Sequence, residues 1–163
     1  MVFRMQIKPL ADQESVWDYP RPPRLEPVTD TLKVLFAGET VAETRHGYRV
    51  LETSHPPVYY IPRSDVRFVV NAPGSSYCEF KGRAEYWSLD VDGALSDRAA
   101  WSYPDPTRGF VAIVDHLAFY ASKVDACWVG PERVKPQDGD FYGGWITDRI
   151  VGPFKGAAGT RGW

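Results

Sequence analysis

Apolar and polar residues alternate in short runs over most of the first hundred positions, and glycine, proline or Asp-Gly pairs punctuate the runs. A period of two with such punctuation predicts β-strands joined by tight turns. The pattern places strands at 32–37, 40–45, 48–53 and 58–61, with turns at Gly38-Glu39 and His46-Gly47 and a break at His55-Pro-Pro57. Residues 66–70 fit either a short strand or a helical turn. Asn71-Ala-Pro-Gly74 reads as a loop. Strands are expected again at 77–81, 84–91, near 94–103 and at 126–129, with Asp92-Gly93 as a hairpin turn.

One stretch carries a different period. Phe110, Ile113, Val114, Leu117, Tyr120, Ala121 and Val124 share one face at helical spacing, behind Thr107 as an N-cap. They predict an α-helix near 110–123. From Pro136 onward the chain alternates glycines with large aromatics, too apolar a composition for disorder. Residues 1–16 are expected to form a loosely ordered leader, and 17–163 a single domain.

Composition narrows this further. With 163 residues, 44% of them hydrophobic, the chain can bury one core. Fourteen glycines and fourteen prolines leave little room for long helices. The predicted fold is therefore mainly β: one compact antiparallel β domain with a single helix and an ordered C-terminal tail rich in glycine and aromatics.

The net charge is −2, and basic residues are scattered among acidic ones. Neither nucleic acid nor an anionic membrane is an expected partner. No apolar stretch reaches the roughly 18 residues of a membrane helix. The N-terminus has no secretory h-region, so a cytoplasmic location with Cys78 and Cys127 reduced is expected. Without C-x-x-C or H-E-x-x-H, no metal site and no cofactor are predicted.

Candidate chemistry gathers in three places. Glu52-Thr-Ser-His55-Pro-Pro-Val-Tyr-Tyr60 sets a carboxylate, an imidazole and two phenols beside a rigid double proline. His55 is the candidate acid or base, with Glu52 orienting it. Tyr59 and Tyr60 are candidate ligand contacts. Cys78-Glu-Phe-Lys-Gly82, read as strand, puts Glu79 and Lys81 on one face, and Lys81 suits an anion. Cys78 as a nucleophile would need a base, and His55 is the candidate. In Phe141-Tyr-Gly-Gly-Trp-Ile-Thr147 and Gly152-Pro-Phe-Lys-Gly156, glycines beside aromatics permit close approach of a flat ligand or of another chain segment. Trp145 and Lys155 are the candidates there, and Tyr103 completes the set. His46 and His116 are weaker candidates, in a turn and on the predicted helix face.

Two further patterns stand apart. Trp17-Asp-Tyr-Pro-Arg-Pro22 and Trp101-Ser-Tyr-Pro-Asp-Pro106 share W-x-Y-P-x-P, either by composition or by an old duplication. Gly74-Ser75 with Asp90 and Asp92 loosely mimics the metal-binding carboxylates of nucleotidyltransferases, although Asp92-Gly93 fits a hairpin turn better.

The motifs Glu52–Pro62, Cys78–Gly82, Phe141–Thr147 and Gly152–Gly156 resemble a bacterial family, domain of unknown function 427, over about residues 15–163. The resemblance implies a shape similar to the β-tent folds, which include methionine sulfoxide reductase B domains and the ligand-binding domain of cereblon. Relatives in that group often hold zinc through paired cysteines, which this chain lacks. The family is also known by a nucleotidyltransferase-like name.

Three functions follow as expectations. The first is a small-molecule-binding β domain, enzymatic or not, with an aromatic pocket for a polar or anionic metabolite such as a nucleotide or sugar derivative. The second is a non-catalytic interaction module, a homodimer included, using the two Trp-x-Tyr-Pro arms. The third is a metal-dependent nucleotidyl or phosphoryl transferase.

Overall fold

A computed structural model describes residues 5–139 and 141–163. Fifteen strands follow in chain order among them. They are β1 (Glu14–Ser15), β2 (Arg24–Pro27), β3 (Leu32–Phe36), β4 (Glu39–Thr44), β5 (Tyr48–Leu51), β6 (Val58–Pro62), β7 (Val69–Cys78), β8 (Gly82–Val91), β9 (Ala94–Ser102), β10 (His116–Phe119), β11 (Ala126–Val129), β12 (Glu132–Arg133), β13 (Lys135–Pro136), β14 (Trp145–Ile146) and β15 (Ile150–Val151). The larger sheet has the order β2-β5-β6-β10-β9-β8-β7, and the smaller β12-β11-β3-β4. Every pairing within these two sheets is antiparallel. The mainly β, antiparallel architecture read from the alternation is the one observed.

The two sheets enclose the main core. Leu32, Val34, Val41, Cys127 and Val129 of the smaller sheet pack with Ile61, Leu89, Leu117 and Phe119 of the larger. The opposite face of the larger sheet carries a second cluster, including Tyr60, Ala84, Trp101 and Ala118, that Phe110 and Ile113 cover. The larger sheet is thus apolar on both faces, and the expected helix at 110–123 is not formed for that reason. Residues 110–123 form a 3₁₀ segment (Arg108–Ile113), then β10, then a second 3₁₀ turn (Ala121–Lys123). Asp115, at φ 62°, breaks any helix between them. Leu117 and Phe119 enter one cluster while Ala118 and Tyr120 enter the other. A short apolar run buried on both sides gives no period that separates strand from helix.

Asn71-Ala-Pro-Gly74 is not a loop. It lies within β7, where the register shifts between Ala72 and Ser75. As an edge strand, β7 accommodates proline at a bulge. The Asp92-Gly93 turn falls where expected, with φ of 50° and 92°, whereas the first turn is Ala37-Gly38, with φ of 52° and 79°, one residue before the expected Gly38-Glu39; both close two-residue hairpins. Of the stretch read as a leader, residues 5–12 are mostly exposed. Glu14–Ser15 pairs in parallel with β15, and Val16 is fully buried. Among the described residues no helix is long and apolar enough to cross a membrane.

Candidate functional site

The second face of the larger sheet is only partly covered. Between it and the tail residues Gln137, Phe141, Tyr142, Gly143 and Lys155 lies a cavity of about 260 Å³. Strand alternation decides what the sheet contributes. Val58 and Tyr60 of β6, Ala84 and Tyr86 of β8, and Trp101 of β9 with Tyr103 beyond it, each two residues apart, face the cavity. Tyr59, between Val58 and Tyr60, must face the other way. It stacks on Trp145 in the main core, with centroids 5.2 Å apart.

Six of the eight candidates from the sequence meet here: Glu52, His55, Tyr60, Lys81, Tyr103 and Lys155 all line the cavity. Tyr59 and Trp145 do not. Trp145 is 1% exposed and donates its indole N–H to the Phe119 carbonyl at 2.9 Å, so its role is to fasten the tail to the core. Trp101, Tyr86 and Tyr120, which are not among those candidates, also line the cavity. Stepping by two from Tyr103 or Ala84 would have found the first two. Gln137 lines the cavity as well. Its amide accepts from the Gly144 N–H at 3.0 Å and donates to the Lys155 carbonyl at 2.7 Å, bracing the tail. No local pattern announces that residue.

His55 sits in a turn after β5. Its N–H donates to the Glu52 carbonyl at 3.0 Å, and Lys155 N–H donates to the neighbouring Ser54 carbonyl at 2.9 Å. The imidazole meets Tyr142 edge-on at 5.0 Å. Its Nε2 is 3.7 Å from Glu52 Oε2, too far for a hydrogen bond, and that oxygen is closer to Arg21 Nε at 3.4 Å. Arg21 therefore offsets the carboxylate that would favour a charged imidazole. Burial, with Lys155, Arg21 and Lys81 adding repulsion, pushes the His55 pKa down to about 3. That shift favours the neutral imidazole near neutral pH, which of the two expected roles, acid or base, suits the base.

Lys81 is not on a strand. It closes the β7–β8 hairpin loop, which Thr107 ties down: its N–H donates to the Lys81 carbonyl at 3.0 Å and its hydroxyl to the Phe80 carbonyl. Gly82, at φ 105°, permits the loop to lie against the Asp105 carbonyl, 3.2 Å from where a Cβ would stand. The Lys81 side chain is buried at 9% exposure, and its ammonium lies 5.7 Å from the Tyr103 ring and 5.9 Å from Phe110. No carboxylate among the described residues pairs with it. Lys155 donates to the Trp163 carbonyl at 3.3 Å and faces the Tyr142 ring at 5.4 Å.

The tail's glycines serve the chain itself. A Cβ on Gly143 would stand 2.2 Å from Cη2 of Trp101, and one on Gly144 2.7 Å from the Pro56 carbonyl. Gly143→Ala should therefore lower stability by about 1–3 kcal/mol through overpacking, read as a lower urea midpoint. An unchanged midpoint would mean that the tail does not rest on Trp101.

The other sequence patterns lie elsewhere. Asp90 Oδ1 accepts the Gly93 N–H at 3.0 Å, and Asp90 and Asp92 are exposed at the β8–β9 turn. Among the described residues no cluster of His, Cys, Asp and Glu forms a metal site. His46 is exposed in its turn, and His116 is on β10 with Nδ1 2.9 Å from the Val114 carbonyl. The aromatics of both Trp-x-Tyr-Pro arms are engaged within the chain. Trp17 donates to the Pro153 carbonyl at 2.9 Å, Tyr19 donates to Glu14 at 2.9 Å, and Trp101 and Tyr103 wall the cavity.

A family model described as Domain of unknown function (DUF427) matches residues 24–130, and the chain belongs to that family. The matched span holds His55, Tyr60, Lys81 and Trp101. The tail residues Gln137, Tyr142 and Lys155 lie beyond it. No curated protein matches the chain significantly.

Proposed function

We propose that this family member binds a small anionic metabolite, of the size of a sugar derivative or a small nucleotide fragment, in the cavity on the outer face of its larger sheet. One observation carries the reading: the Lys81 side chain, 9% exposed, lines an aromatic cavity and makes no ion pair, neither with Glu52 nor with Glu79 of the same lining. An ammonium partly withdrawn from water gains from an opposite charge beside it. The two rings beside it answer only part, about 0.5–2 kcal/mol each. A carboxylate or phosphate in the cavity would supply the rest, with Lys155 as a second cation and aromatic walls to hold a planar or sugar-like body. Where a reaction accompanies binding, His55 is the proton acceptor, with Glu52 beside it.

Thermal unfolding against sugar phosphates, nucleotides and carboxylates tests this. A ligand at about 100 times its dissociation constant adds about 2.7 kcal/mol of stability. Lys81→Met keeps the packing against Tyr103 and Phe110 without the charge. The variant is expected to fold with an undiminished melting temperature and to bind the anion at least about tenfold more weakly. Stabilisation that is the same in the variant, or found for no anion, would sink the proposal.

A further inference from the structure

The cavity holds a nucleophile that the proposed binding does not use. Cys78 ends β7, two residues after Ser76, and both line the cavity. Alternation puts these two side chains on one face, and it is the cavity side. Tyr86, whose hydroxyl donates to Ser76 Oγ at 2.9 Å, is itself a lining residue, and Cys78 packs with the cluster that includes Tyr60 and Trp101. The Cys78 thiol is free and half-buried. The chain's other cysteine is its opposite. Cys127 is 1% exposed in the main core, where burial pushes its thiol up to about 12. A thiol is a nucleophile only where it can ionise and be reached, and of the two only Cys78 can be reached.

Lys81 stands beside it on the same hairpin. Cys78 is the Cα partner of Gly82, so Lys81 adjoins the residue directly opposite the cysteine. Both residues are neighbours of Tyr103: the Lys81 ammonium lies 5.7 Å from the ring centroid, and Cys78 is among the groups that act on the Tyr103 hydroxyl. Of the lining carboxylates, Glu52 is 3.4 Å from Arg21 Nε and Glu79 is exposed, and neither pairs with the Lys81 ammonium. An anion drawn to that ammonium enters the cavity wall that also carries the sulfur.

We infer, resting on the anion reading above, that Cys78 is a covalent site for small carboxylates that carry an electrophilic carbon beside their charge. Lys81 draws the carboxylate. The thiol loses its proton to water, and the thiolate's electron pair forms the S–C bond at that carbon. The bond from the carbon to a leaving group such as a halide breaks, and the group departs with its electron pair. The product is a thioether on Cys78 with its carboxylate left at Lys81. A neutral electrophile of the same size is not drawn to Lys81 and gains nothing from the site.

Iodoacetate and iodoacetamide are such a pair. The same thiolate attacks both, so the ratio of their rates cancels the thiol's ionisation and reads the delivery of the anion. In the native protein iodoacetate is expected to modify Cys78 and spare Cys127, as peptide mass mapping shows, at a rate that levels off as its concentration rises. The iodoacetate-to-iodoacetamide ratio at Cys78 should exceed that of the urea-unfolded chain by at least about tenfold. Lys81→Met, or Lys81→Gln where the first does not fold, should bring the ratio down to the unfolded value, and Cys78→Ser should abolish labelling of the folded chain. A native ratio equal to the unfolded one, a ratio that survives the lysine substitution, or labelling of Cys127 ahead of Cys78 would overturn the inference. Acetate, which cannot alkylate, separates it from the reading it rests on. If acetate still raises the melting temperature of the wild type and not of Lys81→Met, the anion site stands and only the nucleophile falls. If no carboxylate does so, the anion reading falls as well.

Discussion

Trp145→Ala should remove about 3–5 kcal/mol of stability, the cost of emptying a fully buried aromatic site. The indole is stacked on Tyr59 and is bonded to the Phe119 carbonyl. β14 is otherwise held by short pairing with β13 and by the Trp145 backbone N–H, which donates to the Pro57 carbonyl at 2.8 Å. Loss of the ring therefore loosens the clasp that holds Gln137 and residues 141–144 over the cavity. Against a typical total of about 5–15 kcal/mol, such a loss brings the protein close to unfolding at room temperature. Trp145→Phe keeps most of the volume and should lose about 1–2 kcal/mol, chiefly for the missing hydrogen bond. Urea unfolding followed by circular dichroism measures both. A loss below about 1 kcal/mol for the alanine variant would show that the tail is not part of the cooperative core.

The expectation that Trp145 contacts ligand and the finding that it anchors the tail share a cause. Aromatics beside glycines signal close approach, and the residue types do not say whether the approaching body is a ligand or the chain's own backbone. Gly143 against Trp101 and Gly144 against Pro56 resolve it for the backbone. Tyr59 is a different case. Once 58–61 is read as strand, Tyr59 and Tyr60 must point to opposite faces, so only one of the two can face the cavity. Only knowing which face the tail covers tells which.

The hairpins were legible because alternation and φ-permissive turn residues agree at β3–β4 and β8–β9. Residues 110–123 were not, because β10 is buried on both sides and its apolar positions imitate a helical face. The cavity was half legible. His55, Tyr60, Lys81, Tyr103 and Lys155 have the right chemistry at sites marked by proline or glycine. Their convergence depends on sheet order, which puts β6, distant in sequence, beside β10 and three strands from β8. Gln137 has no local signature because its whole role is to bridge Gly144 and Lys155 across the tail.

The state of His55 supplies the second large effect. Stability should fall by about 1.4 kcal/mol per pH unit as pH drops from 6.5 towards 4.5, through this one residue. In the folded protein its pKa is about 3, against 6.5 for a free imidazole. Below pH 6.5 the unfolded chain binds a proton at His55 that the native state does not. The contribution is therefore fully present above 6.5 and is lost as pH falls, amounting to about 2.7 kcal/mol by pH 4.5. Asp30, paired with Arg149, and Glu14, paired with Arg49, are held below the usual carboxylate range. Their contributions are lost only below about 4.5, so the upper window belongs to His55. His55→Gln should flatten the profile there, as read from urea midpoints at half-unit steps. Binding of an anion acts in the opposite direction at the same residue: neutralising Lys155 and Lys81 removes two of the charges that oppose protonation and so raises the His55 pKa, while burial, the larger cause, remains. Wild-type stability that stays flat over 7 to 4.5, or an equal slope in His55→Gln, would show that the imidazole is charged in the fold and that Glu52, rather than the lysines, governs it.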